Sequence, residues 1–215
     1  MINVKDLYKT YVTGDIETKV LQGIDLTIKD GEFIAIMGRS GAGKSTLLYQ
    51  ISLLDLPTSG SISIDDINTD KLNNKERVEM RLNKMGYIFQ DYALIPELTA
   101  VENVMLPLIM KGNTKADAHA KSLVSLKEVG LEDKLNNLPS QLSGGEQQRV
   151  SVSRAIAHHP KILFADEPTA NLDAASAKVV LDLLAQLHKE RGQTTIMITH
   201  EEEYSKRSEE HTSEL

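Results

Sequence analysis

The stretch EFIAIMGRSGAGKSTLL, residues 32–48, reads as a buried strand, a glycine-rich turn and the opening of a helix. The apolar run from Phe33 to Met37 is continuous rather than alternating, as in a strand covered on both faces of a parallel sheet. The turn matches G-x-x-x-x-G-K-[ST] from Gly38 to Ser45, in the strand-then-helix context the motif requires. Its glycines let backbone N–H groups point inward around phosphates. Gly38, Arg39, Ser40, Gly41, Ala42, Gly43, Lys44, Ser45 and Thr46 are therefore the candidate nucleotide loop. Lys44 supplies a point charge to the β- and γ-phosphates, and the Ser45 hydroxyl is placed to ligate Mg²⁺.

Working outward, DG at 30–31 is a turn signal, and Ile2, Val4, Ile24, Leu26 and Ile28 read as strands with one buried face. Beyond the loop, a helix from Lys44 to about Leu54 is followed by PTSG at 57–60, the strand SISID and the strand MGYIFQ ending in Gln90. Residues 91–140 change character: Thr99 and Thr114 carry helix-start patterns, and Leu123, Leu126 and Val129 recur at helical spacing. The spacing predicts a helical insert there, within a core of about 1–90 and 141–206. KILFAD and TTIMIT then read as strands around a helix of about 174–190, which implies a parallel sheet.

KILFADE, 161–167, carries four apolar residues into Asp166 and Glu167. Such a strand holds an aspartate beside the Mg²⁺ site of a P-loop protein, and puts Glu167 at the sheet's C-terminal edge, where it can accept a proton from attacking water. QLSGGEQQRV, 141–150, opens a second helix on Gly144 and Gly145. A helix N-terminus with free N–H groups is itself an anion site, so one chain carries two phosphate-binding loops.

Composition bounds the reading. The 215-residue chain is 40% hydrophobic, has net charge −7 and contains no cysteine, which excludes a disulfide framework and a thiolate nucleophile. The acidic balance argues against nucleic acid as a partner. The N-terminus has no secretory signal, and the longest apolar run, VMLPLIM at 104–110, is far too short to span a bilayer.

GRSGAGKST, YIFQ, LSGGEQQR, ILFADEP, NLD at 171–173 and ITH at 198–200 occur together and in the order found in ATP-binding subunits of ABC transporters, which the chain resembles from Tyr11 to His200. The resemblance implies an α/β fold: a P-loop core with a parallel sheet flanked by helices, an N-terminal antiparallel β subdomain and an inserted helical subdomain. It implies ATP and Mg²⁺ as cofactors, ATP hydrolysis, and a homodimer stacked head to tail. In that dimer Ser143, Gly144 and Gly145 would meet the γ-phosphate of the partner's ATP. Tyr11 would stack on adenine, unless it is a strand aromatic facing the core. Gln90 would reach Mg²⁺ and water, and join core to insert. His200 would contact the γ-phosphate. Asp173 would touch the partner subunit and also reads as a helix N-cap. The resemblance further implies a transmembrane permease partner, reached through the cleft between core and insert, and a place at the cytoplasmic face of the cell membrane.

YVTGDIETKVLQGIDL, LDLPTSG, LTAVENVMLPL and ADEPTANLD are similar to the branch of lipoprotein release, macrolide export and antimicrobial-peptide export. A cell-division ATPase that drives a membrane partner without transport belongs there too, and a non-hydrolysing ATP-dependent clamp is a further alternative. Ala170 stands where the family often has glycine. The other five histidines read as solvated surface. The last nine residues, RSEEHTSEL at 207–215, resemble the in-frame translation of a sequencing adapter. They are expected to be an artefactual tail on a truncated chain, packing against nothing.

Overall fold

The computed structural model describes residues 1–199 and the backbone of 213–214. Two sheets and six α-helices are built from them. Strands β1 (Ile2–Thr13), β2 (Ile16–Ile28), β4 (Ser59–Ile64) and β5 (Ile67–Asn68) form an antiparallel sheet in the order β2-β1-β4-β5. The second sheet is parallel. In it β6 (Met85–Ile88), β7 (Ile162–Asp166), β8 (Thr194–Ile198) and β3 (Phe33–Met37) lie in that order.

Successive side chains on a strand face opposite ways, and the parallel sheet uses this to fill two cores. Ile162 and Phe164 of β7 and Ile196 and Ile198 of β8 join Ile34, Ile36, Leu47, Leu48 and the antiparallel sheet's Ile2, Val4 and Ile64 on one face. Leu163, Ala165 and Met197 point the other way, into a core with Val150, Val180 and Leu184. Phe164 is fully buried at the centre.

The helices are α1 (Lys44–Ile51), α2 (Asn74–Lys84), α3 (Ala100–Met110), α4 (Lys115–Glu128), α5 (Gly144–Ile156) and α6 (Ala174–Arg191). Side-chain oxygens of Asn73, Thr99, Thr114, Ser143 and Asp173 cap the starts of α2 to α6, each satisfying N–H groups that have no partner inside the helix. In α2, α3 and α5 a glutamate at the third helical position returns the bond, completing a capping box. The insert's α3 and α4 pack on each other and on α5 through Val104, Leu108, Ala118, Leu126 and Val152.

One expectation fails. Ser213 and Glu214, inside the tail that was to pack against nothing, form a two-residue strand β9 parallel to β3, with Ser213 opposite Ile36 and Glu214 opposite Met37. The physical reason is the open flank of β3: an edge strand presents a row of N–H and C=O groups that any extended segment can pair with, whatever its side chains.

Candidate active site

The parallel register brings the ends of β3, β6, β7 and β8 to one edge, where open α/β sheets bind their ligands. The loop after β3 supplies the phosphate cradle. Gly41 and Gly43 have φ of 81° and 92°, a region that L-residues with a Cβ avoid. At Gly43 there is also no room: a Cβ would stand 3.0 Å from Val20 Cγ1 and 3.1 Å from the Val20 carbonyl oxygen. Lys44 is buried, and its ammonium donates to the carbonyls of Gly38 and Arg39 at 3.0 and 3.1 Å.

Ser45 Oγ, in the first turn of α1, donates to Asp166 Oδ1 at 2.9 Å. Asp166 is buried at the end of β7, and burial pushes its carboxyl pKa up, with the neighbouring Glu167 charge pushing the same way against the Ser45 bond. Two tyrosines close over the other side. Tyr87 Oη is 3.5 Å from Asp166 Oδ2, and Tyr49 also hydrogen-bonds the carboxylate. Burial and the Asp166 charge raise both phenol pKa values, so they stay protonated donors. Neither tyrosine was singled out in the sequence; a tyrosine five residues into a helix looks like any packing residue.

Glu167 lies beside Ser40, Gly41, Lys44, Ser45 and Thr46 on the wall of one cavity of about 250 Å³. Its φ is 43°, left-handed for a residue that is not glycine, a conformation that costs about 1–3 kcal/mol and persists only where the surroundings enforce it. They do: the Glu167 N–H donates to the Ile198 carbonyl at 3.2 Å, and its carbonyl accepts from Ala170 at 3.1 Å. Gln90 is exposed at the turn just after β6, whose Ile88 pairs with Ala165 beside Asp166; the Gln90 carbonyl accepts from Asn171 Nδ2 at 3.2 Å. Tyr11 is 40% exposed, so it does not face the core. Its hydroxyl donates to Asp55 at 3.0 Å and touches Thr46 of the phosphate loop, while Lys9 Nζ sits 4.7 Å from its ring centre. His200 lies outside the described residues.

Ser143 caps α5: its Oγ accepts from the Glu146 N–H, and Glu146 Oε2 accepts from the Ser143 N–H at 2.8 Å. Ser143 is exposed. Gly144 and Gly145 owe their lack of a side chain to packing inside the chain as well. A Cβ on Gly144 would stand 2.9 Å from Tyr92 Oη, and one on Gly145 2.9 Å from Ser176 Oγ. Asp173 is the N-cap of α6, accepting from the N–H groups of Ala175 and Ser176, each at 3.0 Å, and from Ser176 Oγ. These bonds hold its carboxyl pKa below the usual range.

Two histidines taken for solvated surface are not. His158 is half-buried, its ring bonded to the Met85 carbonyl at 2.9 Å. His188 packs edge-on against Phe33 and bonds the Gln193 carbonyl at 2.8 Å. Both lie near helix ends, where chain return covers them. Among the described residues, no group of three or more histidines and carboxylates could hold a metal, and no helix is long and apolar enough to cross a membrane.

A phosphate loop on a parallel sheet, a buried aspartate against its serine and a glutamate on the same cavity define a P-loop nucleotide hydrolase. The family model described as ABC transporter matches residues 21–170. The chain is 44% identical over 207 residues to the lipoprotein-releasing system ATP-binding protein LolD of Legionella pneumophila (strain Lens), covering 96% of this chain and 91% of that protein. It is 43% identical over 203 residues to the macrolide export ATP-binding/permease protein MacB of Syntrophobacter fumaroxidans, covering 94% of this chain and 28% of that longer protein. Among solved structures, it is similar to the ATP-binding cassette MJ0796 of Methanocaldococcus jannaschii, in a dimeric post-hydrolysis state bound to ADP and Pi. There the TM-score is 0.90 and the identity 42%, with 97% of this chain and 92% of that chain covered. The chain belongs to the ABC transporter family, and it is an ATP-binding ATPase.

Proposed function

We propose that this chain is the ATP-hydrolysing subunit of an export or lipoprotein-release system, acting as a homodimer on the cytoplasmic face of a membrane permease. The observation that carries the chemistry is Glu167 on the wall of the cavity formed by Ser40–Thr46. Two copies stack head to tail. The loop 38–46 of one and the Ser143–Gly145 helix start of the other close on each ATP. That helix end adds about half a positive charge at the γ-phosphate, and the Ser143 hydroxyl with the Gly144 and Gly145 N–H groups replaces water there.

Within each site Lys44 neutralises phosphate charge, and Tyr11 offers its exposed ring to the base. Glu167 accepts the proton of the attacking water as that water's oxygen bonds the γ-phosphorus, the bond to the β,γ-bridging oxygen breaks and ADP leaves with its electron pair. Gln90 and His200 orient that water. The pairing of Ser45 Oγ with a buried carboxylate, Asp166, is a hard-oxygen donor set that fits Mg²⁺. Ser45, Asp166 and Gln90 would hold the ion, which when bound neutralises charge building on the β- and γ-phosphate oxygens. Asp173, at the start of α6, meets the partner subunit.

The permease is read onto a groove of about 310 Å³ between α2, β6 and α5 on one side and α3 on the other. Val78, Leu106, Pro107 and Met110 line it, and Met110 is 65% exposed, an apolar rim suited to a short helix from a membrane protein. The names of the relatives favour transport over a purely mechanical cell-division role. The two-copy site is tested by dilution. Turnover per chain with Mg²⁺ and saturating ATP should fall as protein concentration drops through the dimer dissociation constant. Turnover per chain that stays constant down to a demonstrated monomer would sink the shared site.

A further inference from the structure

Gln148 lies in the second turn of α5, is fully buried, and donates from Nε2 to the Pro168 carbonyl at 2.7 Å. Pro168 follows Glu167, so this bond sits one residue beyond the strained backbone of the carboxylate. As a stability device the side chain is a poor choice. Its Oε1 is buried with no partner among the described residues, and such an orphaned acceptor gives up its hydration for nothing in return. Leucine would fill the same space and remove that orphaned oxygen, at the loss of the donor to Pro168. What leucine cannot do is hold the carbonyl.

The same helix carries two other anchors. At its start Gly145 packs against Ser176, and near its end Arg154 donates to the carbonyls of Ala93 and Tyr92 at 2.6 and 2.9 Å, in the turn that follows Gln90. Tyr92 and Ala93 have φ of 58° and 49°, strained like Glu167. One rigid helix thus grips both strained turns at the sheet edge, and its N-terminus is the Ser143–Gly145 loop.

We propose that Gln148 is a positioning residue: its hydrogen bond to Pro168 holds Glu167 in the left-handed conformation that aims it at the phosphate cavity, and ties that aim to the position of α5. This rests on the reading of Glu167 as the proton acceptor. Gln148 touches no reacting atom. Its effect passes through the backbone, and a shift of about 1 Å at a reacting group can cost 10²-fold in rate.

The test is Gln148→Leu, with Gln148→Met as a second variant of equal length lacking the donor. Turnover should fall about 10- to 100-fold with the KM for ATP unchanged and Tm no lower than the parent's. Amide exchange at Glu167 and Ala170 should quicken in both variants. In a Glu167→Gln background, Gln148→Leu should lower the residual turnover no further, because the two act as a unit. Parental turnover in Gln148→Leu beside an inactive Glu167→Gln would overturn the positioning role and leave Glu167's role standing. Parental turnover in Glu167→Gln would overturn both. Loss of Tm, ATP affinity and turnover together in both Gln148 variants, or unchanged exchange at Glu167 and Ala170, would make the bond merely structural and overturn the proposal.

Discussion

Ser45 Oγ and Asp166 Oδ1 are joined by a 2.9 Å hydrogen bond between residues 121 apart in sequence, across the seam between α1 and β7. The carboxylate that accepts it is held against its own preference. Burial, with the Glu167 charge beside it, raises its pKa, so the charged form is held at a cost that a neutral side chain would not carry. A raised carboxyl pKa removes stability as pH rises through it. Asp166→Asn should therefore leave the nucleotide-free protein at least as stable as the parent at pH 7 and give a higher Tm, while turnover collapses. Calorimetry and phosphate release check the two halves. A lower Tm would mean that Asp166 is stabilised by its tyrosines and Ser45 rather than strained.

Glu167→Gln keeps shape and removes the proton acceptor. Turnover should fall by on the order of 10² to 10⁴, and an ATP-bound dimer should accumulate on a sizing column run with ATP. A Gln variant that hydrolyses at the parent rate would transfer the role elsewhere.

Ser143→Arg should abolish turnover without weakening ATP binding by the single chain, since Ser143 is exposed and does not line that chain's own Lys44 cavity. Lys44→Ala should be inactive for the opposite reason. Mixed, the two form a dimer in which one site pairs an intact phosphate loop with an intact Ser143 loop. The mixture should recover turnover that neither variant has alone. A mixture as dead as its parts, with mixed dimers shown by native mass spectrometry, would remove the shared site.

What the sequence disclosed follows the range of the interaction. The strand at Phe33–Met37, the phosphate loop and the helix from Lys44 are contiguous, and each announces itself by apolar run, glycine spacing or cap. The helix Asn74–Lys84 went unread: only Met80 of its eleven residues is buried, so it has almost no apolar stripe to reveal a 3.6-residue period. The contacts that shape the site are of another kind. Asn171 to Gln90, Arg154 to Tyr92 and Gln148 to Pro168 span 81, 62 and 20 residues. No local pattern encodes them, because each is a side chain meeting a backbone carbonyl that the fold delivers. The same blindness placed His158 and His188 on the surface. The strand at 213–214 depends on the open edge of β3, a property of the sheet and not of the residues that join it.

His158 makes the helical groove sensitive to acid. Its ring is bonded through Nε2 to the Met85 carbonyl, which can only accept, so Nε2 carries the proton. Nδ1 is buried with no partner among the described residues. Protonation would place a second N–H there with nothing to receive it, beside Lys111, His159 and the groove's Arg81 and Arg154. Burial is the main cause that pulls the pKa down from 6.5 to about 4. For a histidine with a lowered folded pKa, the stability is fully present above the unfolded value and is lost as pH falls towards the folded one. The parent should lose on the order of 3 kcal/mol between about pH 6.5 and pH 4 from this group. In His158→Gln the amide can still donate to Met85, and nothing titrates in that window. Carboxylates common to both proteins cancel in the difference, so urea unfolding of parent and variant across the range isolates the histidine. The parent's midpoint should drop away from the variant's as pH falls below 6.5. Two curves that stay parallel down to pH 4 would mean His158 reaches solvent freely enough to be protonated without cost.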